Sequence, residues 1–298
     1  MGKLAAIGCY VYWGLVVFYW TWLDKVESQE ILMHRVVWTL VAMVVVIYFR
    51  GNLSEYLKAF RDWYVIKWHF VAAFLLALNW YLFVYGVTNG RIADASLGYF
   101  LSPFVTIVWG RLFEKETLNY LQLFAIILAA VGVGRLAFNL NDFPYIGTGI
   151  ALTWSSYSVV KKRSKLGIFS SLGMEMTLLA PFALISLFWF GRKGELVWGS
   201  HGTGYDWLIV STGVATLIPL LLYSYAVRRV SLTTMGLLQY IMPTMALVIA
   251  VFVFGEPFGG VRLFAFSCIW IGLATYGYDS LHKAPEQSCD SPQRPDAE

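Results

Sequence analysis

The sequence predicts an all-α polytopic membrane protein with ten transmembrane helices, arranged as two inverted five-helix repeats. Three observations predict this. Of 298 residues, 58% are hydrophobic and only 13% are charged, whereas a soluble domain carries about 25% charged residues. The apolar residues fall in long continuous blocks, and the second half of the chain echoes the first. A chain with so little polar surface excludes a water-soluble enzyme, a disordered regulator and a nucleic-acid module. The net charge of +4 does not alter this, because the 22 basic residues are scattered between apolar blocks and form no stripe. Cys9, Cys268 and Cys289 are too few and too far apart for a disulfide framework or a zinc site.

A bilayer core about 30 Å thick needs a helix of about 20 mostly apolar residues. The first such block, 4–22, follows Lys3 and runs to Trp20-Thr21-Trp22 with no small-x-small cleavage site. It reads as a retained first helix. The start Met1-Gly2-Lys3-Leu4-Ala5-Ala6 also lacks the Ser or Thr of a myristoylation signal. Blocks 31–49, 68–87, 95–113 and 118–138 complete the first half. Blocks 143–160, 172–190, 207–227, 232–254 and 261–278 make the second. Each is continuously apolar, whereas a barrel strand would be about ten residues long and would alternate. Trp20, Trp22, Trp63, Trp68, Trp198 and Trp207 stand at span ends, where indole rings form interfacial belts.

Basic residues set the direction. With the N-terminus inside, 15 Lys and Arg fall on inner segments and six on outer ones, and Arg35 lies within the second span. The inner set includes Lys161, Lys162, Arg163 and Lys165. This bias follows the positive-inside rule and puts both termini in the cytoplasm. The tail 282–298 is mostly polar, with three prolines, and reads as disordered.

Residues 79–116 match 219–256 at a constant offset of 140. Leu82/Leu222, Tyr85/Tyr225, Val87/Val227, Leu97/Leu237, Pro103/Pro243, Val108/Val248 and Glu116/Glu256 coincide. At an offset of 141, Trp13 meets Trp154 and His34 meets Glu175. The expected units are 1–140 and 141–281. Five spans per unit make the second enter the membrane from the opposite side, and the linker 139–142 has no Lys or Arg, as an outer segment should. Antiparallel repeats related by a twofold axis in the membrane plane are the usual basis of alternating access, with the site near the repeat interface.

Polar groups inside spans are expensive and face a cavity or a partner. His34 and Arg35 sit in the outer part of span 2 with no acid directly beside them, Asn79 lies in mid-span 3, and Glu175 stands near the inner end of span 7. Gln239 and Tyr240 lie in the inner half of span 9. Each has two readings. His34, Arg35 and Glu175 either control solute or proton passage or, for Arg35 and Glu175, snorkel to the outer headgroups and the inner water. Asn79 and Gln239 read more readily as interhelical glue. Gly147, Ala151, Trp154 and Ser158 fall on one face of span 6, with Thr148 and Ser155 beside it. That face is either a close-packing surface or the wall of a polar, aromatic cavity opposed by Tyr10 and Trp13 of span 1. Tyr99 of span 4 is a further aromatic candidate for that wall. Pro103 and Pro243, at matching positions, predict paired kinks that either support gating or only shape packing; Pro181 and Pro219 add further bends.

There is no G-x-x-x-x-G-K-[ST] phosphate loop, no H-E-x-x-H and no G-x-S-x-G, so ATP-motor, zinc-protease and serine-hydrolase readings have no support. The four histidines share no ligand spacing. No cofactor, metal or nucleic-acid partner is expected; the partners are membrane lipids and a small solute, and a homodimer stays open.

Several segments together resemble the RarD group of EamA-type permeases, in the drug/metabolite transporter superfamily. They are Glu30-Ile31-Leu32-Met33-His34-Arg35-Val36, Asn79-Trp80, Ala95-Ser96-Leu97-Gly98-Tyr99-Phe100 with Pro103, Glu175 with Pro181, and Gln239-Tyr240-Ile241 with Pro243-Thr244 and Gly255-Glu256. The resemblance implies ten helices, a bacterial inner membrane and secondary transport of small metabolites or drugs. It also implies that spans 5 and 10 are peripheral. The expected function is alternating-access transport of a small solute by a non-enzymatic permease. The alternative, a structural or receptor-like membrane protein, explains the helices but not the inverted duplication.

Overall fold

The computed structural model describes residues 1–138, 143–253, 255 and 259–282. Glu256, Cys289, the linker 139–142 and nearly all of the tail 282–298 lie outside the described residues. Every regular element described is helical. The first half contains α1 (Gly2–Leu15), α2 (Val17–Thr21), α3 (Ser28–Phe49), α4 (Leu53–Ala59), α5 (Trp63–Thr88), α6 (Ile92–Glu114) and α7 (Tyr120–Ala137). The second contains α8 (Tyr145–Lys162), α9 (Ile168–Lys193), α10 (Thr203–Val227), α11 (Leu232–Gln239), α12 (Ile241–Phe252) and α13 (Gly260–His282).

The helix ends follow from local chemistry. Asp62 accepts the backbone N–H of Tyr64 at 2.9 Å and starts α5 five residues before the apolar block 68–87 suggests. Asn119 and Gln122 form a reciprocal capping box at α7. The Glu116 carboxylate accepts the N–H groups of Leu232 and Thr233 at 2.6 and 2.8 Å, joining the first half to the start of α11. Glu55 of α4 does the same for α9, taking the N–H of Gly167 at 2.7 Å and the Ser170 hydroxyl at 3.0 Å. Both carboxylates sit where a helix dipole favours negative charge. Lys115, in the left-handed region at φ 56°, ends α6.

Nine helical segments among the described residues are long and apolar enough to cross a membrane. α8, 18 residues long, is not among them and carries Thr, Ser and Lys side chains turned into the bundle. The first span breaks at Val16 into α1 and α2, and the ninth breaks at Tyr240 into α11 and α12.

Helix packing closes on itself when the halves are exchanged. Taking α1, α3, α5, α6 and α7 as mates of α8, α9, α10, α11–α12 and α13, three mates pack on one another: α3 on α9, α6 on α11 and α7 on α13. The other extensive contacts occur in exchanged pairs. α5 lies on α8 as α10 lies on α1, α10 on α3 as α5 on α9, and α6 on α8 as α12 on α1. The agreement reaches single residues. A Cβ on Gly132 would come 2.6 Å from the Ala265 carbonyl oxygen, and one on Gly272 would come 2.9 Å from that of Ala125. Both pairs convert into each other at the offset of 140. Without a hydrophobic drive between helices in lipid, such small residues let backbones approach. The α7–α13 pair they join is peripheral, as the resemblance implies, and the other eight spans build the centre.

Candidate functional site

Side chains from four other helices converge on Arg35 of α3. This residue lies seven positions past Ser28, about 10 Å along α3. Its Nε donates to Thr216 Oγ1 of α10 at 2.9 Å. Its guanidinium lies 5.0 Å from the ring centre of Trp20 on α2 and 4.6 Å from that of Trp80 on α5, a cation–π arrangement suited to a planar, weakly hydrated cation. Tyr19 and Tyr99 are its electrostatic neighbours. Among the described residues no carboxylate pairs with it. Trp20, Arg35, Trp80 and Tyr99 all keep part of their surface accessible. Arg35 is therefore anchored inside the bundle and does not reach out to headgroups.

His34 belongs to a different group. Its ring stacks on Trp198 at 5.4 Å, and Trp198 stacks on Trp38 at 5.4 Å. The Glu30 carboxylate, one helical turn away, takes the Val197 N–H at 3.1 Å and stands 3.4 Å from His34 Nε2. The expectation that no acid adjoins this pair holds for Arg35 and fails for His34, because the i, i+4 spacing of a helix places Glu30 on the same face.

Near Lys161 the interior is packed with aromatic rings. Trp13 meets Trp154 edge-on at 5.3 Å, Trp154 meets Tyr223 at 4.7 Å, and Tyr157 stacks on Tyr223 at 6.2 Å. Tyr10 adjoins Trp13 at 6.0 Å and donates its hydroxyl to the Met235 carbonyl at 3.1 Å. Ser158 hydrogen-bonds Tyr223. Thus the face of α8 divides. Gly147 and Ser155 pack against α6, where Ser155 Oγ donates to the Ser102 carbonyl at 3.0 Å. Trp154 and Ser158 join the ring cluster.

Next to this cluster lies an ion pair with no exposed surface. Lys161 Nζ stands 2.6 Å from Glu175 Oε1, and both side chains are 0% exposed. The other carboxylate oxygen accepts the Tyr157 hydroxyl at 3.0 Å, and Ser171 Oγ lies 2.9 Å from Lys161 Nζ. Two expectations are corrected here. Glu175 does not reach inner water, and Lys161 is not an inner-loop charge, because each neutralises the other within the bundle. A buried pair with this many hydrogen bonds is stable only intact, since removing either partner leaves an unpaired charge.

The remaining candidates separate. Asn79 Nδ2 donates to the Ile150 carbonyl at 2.9 Å and to Thr153 Oγ1 at 3.0 Å, fastening α5 to α8. Gln239 is buried at the end of α11. The two prolines are not equivalent. Pro103 lies within the continuous α6, whereas Pro243 follows the break at Tyr240. Pro181 and Pro219 also lie inside unbroken helices, α9 and α10. The break falls where Tyr240 turns its hydroxyl to the Phe100 carbonyl, at 3.1 Å. Sequence reasoning missed Lys161, Tyr157, Tyr223, Glu30, Thr216 and Trp80. Lys161 was the most accessible of these, since residues 154, 158 and 161 share a helical face.

The EamA-like transporter family matches residues 1–137 and again 145–277, one match to each half. The chain belongs to this family. Among relatives within it, the uncharacterised transporter YojE of Bacillus subtilis is 36% identical over 276 residues, covering 91% of this chain and 92% of that one. The protein RarD of Streptomyces exfoliatus is 33% identical, over 95% and 90%. The protein RarD of Escherichia coli is 32% identical, over 94% and 95%. A solved crystal structure superposes with a TM-score of 0.74 at 16% identity, covering 95% of this chain and 99% of the other, so the likeness is one of fold. The EamA-like assignment makes this a multi-pass membrane protein of a transporter family, of the RarD type.

Proposed function

We propose that this chain is a secondary transporter that moves a small metabolite or drug-like solute across the bacterial inner membrane by alternating access. The supporting observation is the combination of an exchange-symmetric bundle with an asymmetric interior. Arg35, Trp20, Trp80 and Tyr99 keep accessible surface, which in this reading is the mouth of an open recess, and the buried Trp154–Tyr223 rings and Lys161–Glu175 pair are the closed opposite side. Two inverted repeats, here 1–140 and 141–281, have two near-equivalent closures, and one sequence populates them in turn. Exchange of the halves would open the Lys161 side and close the recess. In this reading Trp13 and Trp154 move apart as the closure opens, and Tyr240, Gln239 and Pro243 form the joint that lets α11 turn against α12.

The charge bias supports placing both termini in the cytoplasm, with the Arg35 recess facing the periplasm. Cysteines introduced at Lys165 and at Gly204 test the direction. An impermeant thiol reagent added to whole cells should label the second and spare the first.

Reconstitution into vesicles tests the function. Solute counterflow from a panel of small metabolites and drugs should be found for at least one compound. Absence of counterflow across the panel, with correctly inserted protein, favours the structural or receptor-like alternative.

A further inference from the structure

Among the described residues, Arg35 is a permanent cation inside a span with no carboxylate beside it. Lys161 has Glu175 at 2.6 Å, and Arg91 has Asp94 at 3.2 Å. Among the described residues Arg35 has a hydroxyl, Thr216, on its Nε and two indole rings within 5.0 Å of its guanidinium carbon. Its two terminal nitrogens make no hydrogen bond among the described residues. A charge inside a span without a partner is costly and marks a ligand or ion path. Holding the Nε edge on Thr216 fixes the guanidinium plane and leaves the outer fork open. That fork matches the two oxygens of a carboxylate and gives a charge-assisted bidentate pair.

The surroundings describe the rest of the ligand. Trp20 and Trp80 flank the cation, Tyr99 borders it, and Phe83 lies against Tyr99 at 5.6 Å. Trp80 and Trp13 both pack on the core cluster that contains Trp154. The Nε1–H of Trp154 is buried and has no hydrogen-bond partner. An orphaned buried donor carries a cost that an acceptor on a bound solute would remove. The side chains around Arg35 thus offer one cationic fork and an aromatic lining, with the buried, unpartnered Trp154 Nε1–H in the adjoining cluster, and no acid that would attract an amine.

We propose that Arg35 is the carboxylate-binding residue of the solute site, and that the transported solute is a small organic anion with an aromatic or apolar body. This names the substrate class of the transporter reading above and rests on it. A dication or a quaternary amine would meet the Arg35 charge unshielded and be repelled, so the same geometry gives specificity by exclusion.

Three isosteric probes decide the class: radiolabelled phenylacetate, 2-phenylacetamide and phenethylammonium. Equilibrium binding to the full-length protein in lipid nanodiscs should favour phenylacetate by about tenfold or more over either of the others, as a bidentate charge-assisted pair requires. Arg35→Gln should remove that preference while leaving the weak binding of the amide unchanged. Arg35→Lys, which keeps the charge without the fork, should lose part of the affinity but still reject the ammonium; it also serves if the Gln variant does not fold. Undetectable phenylacetate binding, equal binding of all three probes, or full preference in both Arg35 variants would overturn the proposal. Counterflow in vesicles separates the two readings. Movement of the amide or the ammonium but not phenylacetate keeps the transporter and discards the anion class. Arg35-dependent binding of phenylacetate without any counterflow keeps the anion site and discards transport.

Discussion

The Tyr240 hydroxyl donates to the carbonyl oxygen of Phe100 at 3.1 Å, and these two residues are 140 positions apart, the offset that relates the halves of the chain. A residue that touches its own repeat mate lies on the axis exchanging the two. The bond therefore marks where that axis runs, between α6 and the break that separates α11 from α12. Two helices that are equivalent by sequence differ in shape at this point.

Removing this bond tests its weight. Tyr240→Phe keeps the ring, which packs with Leu97 and Ile269, and deletes one buried donor. The expected loss is about 1 kcal/mol, read as a small fall in the thermal midpoint in detergent. A loss of several kcal/mol would mean that the hydroxyl organises more than this bond.

The ion pair inside the bundle makes a sharper prediction. Lys161→Met should strand the Glu175 carboxylate and destabilise the protein by about 3–5 kcal/mol. The double change Lys161→Met with Glu175→Leu should recover most of it, because an apolar pair needs no compensation. Thermal unfolding of the three variants checks this, and a double variant as unstable as the single one would contradict it.

The unequal prolines predict unequal effects. Pro243→Ala, beside the break at Tyr240, should slow solute exchange severalfold with little change in binding. Pro103→Ala, within a continuous helix, should act mainly on stability. Exchange and binding measured on both variants decide between a joint and a static bend.

Close approach along the axis gives a fourth test. Gly272→Val would drive a side chain into the backbone of Ala125, 2.9 Å from its Cβ position. Overpacking of this kind costs about 1–3 kcal/mol. The mate substitution Gly132→Val should cost a similar amount, since its contact with Ala265 is the exchanged copy. Markedly different losses would argue that the two contacts are not equivalent.

Much of the fold was legible in the sequence, because apolar block length and the offset of 140 are one-dimensional signals. Trp13 and Trp154 pair at the neighbouring offset of 141, and they touch at 5.3 Å. What stayed hidden depends on which way a side chain turns. Lys161 sits in a run of four basic residues out of five, which reads as a surface cluster; only its position one turn beyond Ser158 places it against Glu175. The break at Tyr240 was hidden for another reason. Proline usually bends the helix that contains it, yet the identical Pro103 leaves α6 continuous, so the break reflects packing at the axis and not the proline alone. Arg35 stands out in the sequence as a charge without an adjacent acid, but the indole pair near it comes from α2 and α5, far apart in sequence.

The central claim is that one recess opens alternately to the two faces of the membrane. Its most direct measurement is the reactivity of a cysteine at Trp80, in a chain whose own cysteines are replaced by alanine or serine, toward an impermeant thiol reagent. The reagent is applied from outside in cells and from inside in inverted vesicles. The account predicts reaction from both faces, with a solute that stabilises the state described here shifting reactivity toward one face and away from the other. Reaction from one face alone, unchanged by any solute, would contradict it.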